Sequence, residues 1–205
     1  MNVLLLHGQG RTTYAMRLLG IRLHRLGHQV RYFRYYTRTE KFSLIVERLV
    51  NTIKTLPNDQ PYALVGHSMG GLLARASLPT LGDHAPSHLV MLASPNQPPR
   101  LASRLQHNRI YQYLTSDCGR QLANSAFFET LAKPTIPTTI IAGTGGPRGR
   151  WLPFGYEAND SVLSVRETRL GPEHEVILVP CLHTFIMNSC EVLHHIDRIL
   201  RQPGK

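Results

Sequence analysis

One stretch constrains this chain more than any other. An apolar run, Tyr62 to Val65, stops at Gly66, presents one serine in Gly66-His67-Ser68-Met69-Gly70-Gly71, and resumes in Leu72 to Leu78 with the composition of a helix. Strand, sharp turn and helix in that order fit G-x-S-x-G, where the serine sits on a strained turn and the flanking glycines let the backbone pass without a Cβ clash. Ser68 is therefore expected to stand exposed at the top of a sheet, as a nucleophile. The Met69 N–H opens the following helix and points into the same space, where the unpaired donors of a helix N-terminus favour negative charge. Five-residue matches also arise by chance, and the plain alternative is a glycine-rich β–α turn with a capping serine. The strand before and the helix after decide for the nucleophile.

The rest of the chain alternates in the same way. Asn2 to Leu6 is a continuous apolar run, as in a strand buried on both faces of a parallel sheet, and it ends in His7-Gly8-Gln9-Gly10. Thr12 or Thr13 is positioned to cap a helix reaching Leu26, with Ala15, Leu19, Leu23 and Leu26 on one face. Gln29 to Tyr35 reads as a strand and Phe42 to Leu56 as a helix stopped by Pro57. Beyond the serine turn, His88 to Ala93, Thr138 to Ala142 and Glu175 to Val179 complete the strands. Helices are expected at Arg100 to Leu105, Gly119 to Leu131 and Phe185 to Leu200. With no repeat or linker, residues 1–205 predict one α/β domain: an open sheet of about six mostly parallel strands with helices on both faces and no large cap domain. Ligands bind such sheets at the carboxyl ends of the strands.

Composition narrows the function classes. No run of about 18 apolar residues exists, and the opening Met1 to Leu6 is too short for a signal-peptide core, so the expected location is cytoplasmic. Cys118, Cys181 and Cys190 are three, without metal-type spacing, which argues against a disulfide framework and against a zinc site. The net charge of +10 is carried by 19 arginines and 4 lysines, and residues 1–50 hold a local excess of +7. Those arginines are dispersed, and no helix-turn-helix, zinc-finger or RNA-binding signature accompanies them. A solvated face is expected, with no nucleic-acid partner and at most weak electrostatic association with anionic membrane surfaces.

A serine hydroxyl needs a base to accept its proton and a third group to orient that base. Among 11 histidines only His183 directly follows the last strand, in Pro180-Cys181-Leu182-His183-Thr184. His24, His194 and His195 lie within helices, and His67, adjacent to Ser68, is directed away from it; these read as surface or packing residues. The chain order of nucleophile, acid and histidine places the acid after the fifth strand, where Asp160 is the candidate and Glu157 and Asp117 are its competitors. Asp160 also has a purely structural reading, as the acceptor of an Asx turn with Ser161 or Val162. Gly143 to Tyr156 is a long Gly/Pro-rich loop whose Trp151 and Phe154 are candidates to line a substrate pocket, against the alternative that they pin the loop to the domain.

Taken together these motifs resemble the α/β-hydrolase superfamily, in particular its small, lid-poor lipase and esterase members. His7-Gly8-Gln9-Gly10, Gly66-His67-Ser68-Met69-Gly70, Ser94-Pro95-Asn96-Gln97, Asn159-Asp160-Ser161-Val162-Leu163-Ser164-Val165 and Leu182-His183-Thr184-Phe185 fall in the family's order over nearly the whole chain. The resemblance implies a Ser68–His183–Asp160 triad, acyl-enzyme hydrolysis of a small-molecule acyl ester, and no cofactor or metal. It also implies an oxyanion hole from the Met69 N–H and, by likeness to the HG-x-G loop of lipases, the Gln9 N–H, with His7 bracing that loop. The alternatives are a thioesterase or acyltransferase using the same triad, or a non-catalytic basic binding protein on the same fold. Two departures stand out: the first strand corresponds to the family's third, and Pro98 replaces a common glycine after Asn-Gln.

Overall fold

Strands made of Leu4-Leu5-Leu6 or Ala63-Leu64-Val65 offer no polar face to water, so both faces must be covered, and both are. The computed structural model describes residues 1–57, 60–174 and 176–202. Six strands, β1 (Asn2–Leu6), β2 (Gln29–Tyr32), β3 (Tyr62–His67), β4 (His88–Leu92), β5 (Thr138–Gly143) and β6 (Val176–Val179), form one sheet in the order β2-β1-β3-β4-β5-β6. Every pairing is parallel. On one face, α2 (Phe42–Lys54) and α3 (Met69–Ser77) set Ile45, Leu49, Leu72 and Leu73 against Leu4, Leu6 and Leu64. On the other, α1 (Arg17–Arg25) and α8 (Cys190–Arg201) set Leu19, Leu23, Val192 and Ile196 against Val3, Leu5 and Val65. Each such side chain fully removed from water stabilises the fold by about 1.5–3 kcal/mol.

Chain order reverses between β1 and β3, because β1 has β2 on one side and β3 on the other. The crevice at their carboxyl ends is the switch point at which open α/β sheets take ligands. The Ser68 turn and the His7–Gly10 loop both open there. Between β4 and β5 lie α4 (Arg100–Leu105), α5 (Arg109–Ala123), which is broken by a kink at Ser116 with φ 51° and ψ −143°, and α6 (Ser125–Thr130).

Several boundaries differ from those the sequence predicts. Gln29 to Tyr35 leaves the sheet after Tyr32, although alternate side chains, Phe33, Tyr35 and Thr37, stay buried. Alternation records which side chains turn inward, and these line a loop packed on β1 rather than a ladder. Neither Thr12 nor Thr13 caps with its side chain; a 3-10 turn, Thr13–Met16, precedes α1 and buries Met16, while Leu26 is left exposed. The helix expected over Gly119 to Leu131 is instead the end of α5 followed by α6, parted at Asn124. Phe185 to Leu200 likewise divides into a 3-10 segment, His183–Asn188, and α8, because the Ser189 hydroxyl accepts from Val192 N–H and starts a new helix. The expected strand residue Glu175 lies outside the described residues. A short α7 (Val165–Thr168) had no apolar period to announce it and is made by a capping box between Ser164 and Glu167.

Candidate active site

β3 ends at His67, α3 begins at Met69, and Ser68 between them holds φ 53° and ψ −119°. That conformation costs a non-glycine residue about 1–3 kcal/mol and persists only where its surroundings fix it. Here Ser68 N–H donates to the Leu92 carbonyl at 2.8 Å and the Ser68 carbonyl accepts from Gly71 N–H at 3.0 Å. The turn closes because Gly66 and Gly70 have no Cβ. A Cβ on Gly66 would lie 2.6 Å from the Gly70 carbonyl oxygen, and one on Gly70 would lie 2.6 Å from the Leu6 and 2.7 Å from the His7 carbonyl oxygens. Backbone cannot yield as a side-chain tip can, so Gly66→Ala is expected to destabilise the fold by about 1–3 kcal/mol, read as a lower midpoint in urea unfolding. A midpoint unchanged from the parent would contradict this account of the turn.

Ser68, His183 and Asp160 are brought together by three separate strand ends. Ser68 Oγ–H donates to His183 Nε2 at 3.0 Å, and His183 Nδ1–H donates to Asp160 Oδ2 at 2.7 Å. Asp160 is 1% exposed. Its other oxygen, Oδ1, accepts from Val162 N–H at 2.9 Å and Leu163 N–H at 2.6 Å. The turn-forming and the histidine-orienting readings of this residue are thus both realised, one on each carboxylate oxygen. The histidine loop is tied to the same residue again, since His183 N–H donates to the Asp160 carbonyl at 2.8 Å. The competitors lie elsewhere: Glu157 pairs with Arg100 near the surface, while Asp117 accepts from Phe42 N–H at the start of α2.

His67 has a place its adjacency to Ser68 concealed. Its ring is buried, lies 5.0 Å from the His183 ring, and donates through Nε2 to the His183 carbonyl at 3.0 Å. Burial first, and then the neighbouring His183, hold its pKa well below the ordinary value, so it stays neutral and braces the His183 loop. The only signal for this in the sequence is its position one residue before the serine.

The His7–Gly10 loop runs directly beside Ser68, since a Cβ on Gly8 would come within 3.2 Å of the Ser68 Cβ. His7 stacks on Tyr35 at 3.9 Å, with Nδ1 3.0 Å from the Gly8 carbonyl oxygen and Nε2 3.2 Å from that of Tyr35, one of which accepts from the single N–H of the neutral ring, a bracing role. Gln9 anchors the loop through Nε2, which donates to the Thr115 carbonyl at 2.9 Å. The N–H groups of Gln9 and Met69 therefore belong to two segments that flank the serine.

An apolar cavity of about 190 Å³ adjoins Ser68 and His183, walled by Leu101, Ala102, Leu105, Leu122 and Leu163 among others. Trp151 and Phe154 do not border it. Trp151 is 90% exposed with Arg150 over its ring, and Phe154 turns into the domain beneath the Arg100 guanidinium. The expectation that they line the pocket is corrected: the intervening helix α4, with Leu101 and Leu105 four apart, takes that position. α4 is itself latched, as Arg100 bonds Glu157 and Glu167, whose carbonyl also accepts from Asn96 and Gln97 N–H and so routes the loop ahead of Pro98. Among the described residues no group of three or more His, Cys, Asp or Glu side chains is placed to hold a metal, and no helix is long and apolar enough to cross a membrane.

The sequence profile of the PGAP1-like alpha/beta domain family matches residues 38–172. No curated protein matches the chain. Among solved structures, the mature form of the lipase BlEst2 of Bacillus licheniformis is similar over 97% of this chain and 91% of its own, with a TM-score of 0.74 at 14% identity. The metagenomic carboxyl esterase MGS0156 aligns over 98% and 74%, with a TM-score of 0.73 at 15% identity. The RedJ thioesterase of the prodiginine pathway in Streptomyces coelicolor aligns over 96% and 84%, with a TM-score of 0.63 at 16% identity. At these identities the likeness is one of fold, and the shared fold is that of the α/β-hydrolases.

Proposed function

This chain belongs to the PGAP1-like alpha/beta domain family, and from that premise we propose that it is a serine hydrolase of carboxylic esters. One observation carries the reading: an unbroken hydrogen-bond chain runs from a serine on a strained turn through His183 to a buried carboxylate. In the proposed reaction His183 Nε2 takes the Ser68 proton as Oγ attacks the ester carbonyl, while Asp160 Oδ2 holds Nδ1–H and stabilises the imidazolium. The Met69 and Gln9 N–H groups receive the oxyanion, and the acyl chain enters the cavity between Leu101 and Leu105. Collapse expels the alcohol, which leaves with the proton from His183. Water then repeats the sequence on the acyl-serine, releasing the acid.

That cavity is larger than the roughly 150 Å³ that accommodates a benzene ring, so short-to-medium acyl chains are favoured. Ser68 is partly exposed at the surface, and Arg100 holds α4 in place. Interfacial activation requires a mobile apolar lid, so rates should show no jump as a substrate passes its solubility limit. A graded series of p-nitrophenyl esters, assayed below and above that limit, tests both points. Smooth saturation with a preference for shorter chains is expected; a discontinuity would mean that α4 to α6 fold over the site, and no hydrolysis of any ester would overturn the reading. Matched thioesters in the same assay separate an esterase from a thioesterase.

A further inference from the structure

A second, basic groove of about 570 Å³ lies on the other side of the His7–Gly10 loop, lined by Gly10, Arg11, Arg38, Tyr36, Tyr113 and Thr39 among others. Gly10 is two residues from Gly8, at most about 7 Å of chain, and Gly8 runs so near Ser68 that a Cβ on it would lie 3.2 Å from the Ser68 Cβ. The groove is built rather than incidental. Gly10 N–H donates to Thr37 Oγ1 at 2.9 Å, Ser116 Oγ donates to the Arg38 carbonyl at 2.7 Å, and Gln9 ties the loop to Thr115, so three segments are fastened around it.

Its charge is uncompensated. Among the described residues, neither Arg11 nor Arg38 has a carboxylate partner. The acidic groups of the neighbouring segments are already engaged: Glu40 accepts from Tyr36 N–H and pairs with Arg48, and Asp117 accepts from Phe42 N–H and pairs with Arg120. Two unpaired guanidiniums with hydroxyls beside them match the oxygens of a phosphate, which a planar guanidinium binds through paired donors. The acyl cavity, by contrast, is apolar and lies beyond Ser68 on the α4 side.

We propose that the groove seats a phosphate group carried on the alcohol or thiol side of the substrate, so that the substrate is an acylated phosphate compound straddling Ser68. This rests on the ester-hydrolase reading for its chemistry and deepens it. The phosphate is a bystander: Ser68 takes the acyl group, the phosphate-bearing alcohol or thiol leaves from the basic side with the proton from His183, and water then frees the acid from the acyl-serine on the apolar side.

Binding and turnover separate the two readings. Ser68→Ala protein, titrated calorimetrically at low ionic strength, should bind 1-butyryl-glycerol 3-phosphate at least about tenfold more tightly than 1-monobutyrin, the same ester without the phosphate. That ratio should fall towards one in Ser68→Ala carrying Arg11→Gln and Arg38→Gln, fall likewise at about 0.5 M salt, and be partly kept with lysine at both positions. The parent enzyme should show the same ratio in kcat/KM. Butyryl-coenzyme A against S-butyryl-N-acetylcysteamine forms a second matched pair; a preference confined to one pair tells a glycerophosphate from a phosphopantetheine source. Phosphate-dependent binding without turnover of any ester would leave the groove standing and sink the hydrolase reading. Turnover or binding with no phosphate preference in either pair, or a preference that survives loss of both arginines, overturns the phosphate site.

Discussion

Ser68→Ala is expected to lower kcat by about 10⁴–10⁶ and to abolish covalent labelling by a fluorophosphonate probe. Among the described residues, the Ser68 hydroxyl is the one group placed to donate to His183 Nε2, at 3.0 Å, and it stands on a turn with a φ of 53°. The folded structure should survive the change. Ser68 contributes to the turn through its backbone, by Ser68 N–H to Leu92 and Gly71 N–H to Ser68, and alanine keeps both bonds. Labelling removes any guess about the substrate, because the probe reports an activated serine directly. Undiminished labelling of Ser68→Ala would move the nucleophile to another serine.

The second large effect is at Asp160. Asparagine at this position keeps an oxygen for Val162 and Leu163 N–H, so the turn is preserved, but it presents NH₂ to His183 Nδ1. An Nδ1 that must accept leaves the imidazole proton on Nε2, where it faces Ser68 Oγ and cannot receive a second proton as base. In the best-studied triad this change costs about 10⁴ in kcat, and Asp160→Asn is expected to lose at least about 10² with KM changed far less. Glu157→Gln and Asp117→Asn should keep near-normal rates. The first relaxes a partly exposed pair with Arg100, and the second leaves on α5 an Asn still able to accept from Phe42 N–H at the start of α2. Steady-state rates of the three variants on one soluble ester decide it, and the reverse ranking would relocate the acid.

Much of this architecture is legible along the chain. The unbroken apolar runs of β1, β3 and β4 require a sheet covered on both faces, and a parallel sheet with helical crossovers is what supplies that cover. Gly66, Gly70 and Gly71 around a lone serine are legible because the turn admits almost no other residue. His183 is legible because it is the one histidine in the loop directly after the last strand, His194 and His195 lying within the closing helix. Asp160 was less so: its sequence neighbourhood favours the acid but also fits an Asx turn, and in the fold one carboxylate oxygen accepts from His183 while the other accepts from the turn N–H groups of Val162 and Leu163.

What lies around Ser68 is set in three dimensions and cannot be read along the chain. The apolar cavity is made by α4 and α5 packing beside the elbow, so Leu101, Leu105 and Leu122 come to border Ser68 only through where their helices land. Trp151 and Phe154, drawn by their size in a long loop, are carried away from it. His67 became a brace for the base loop through a contact 116 residues distant in sequence. The basic groove, too, gathers Arg11, Arg38 and Tyr113 from three segments. The physical reason is common to all four. Local propensity and burial period act over a few residues, whereas a cavity or an uncompensated charge is a property of surfaces that meet only after the sheet has closed its core.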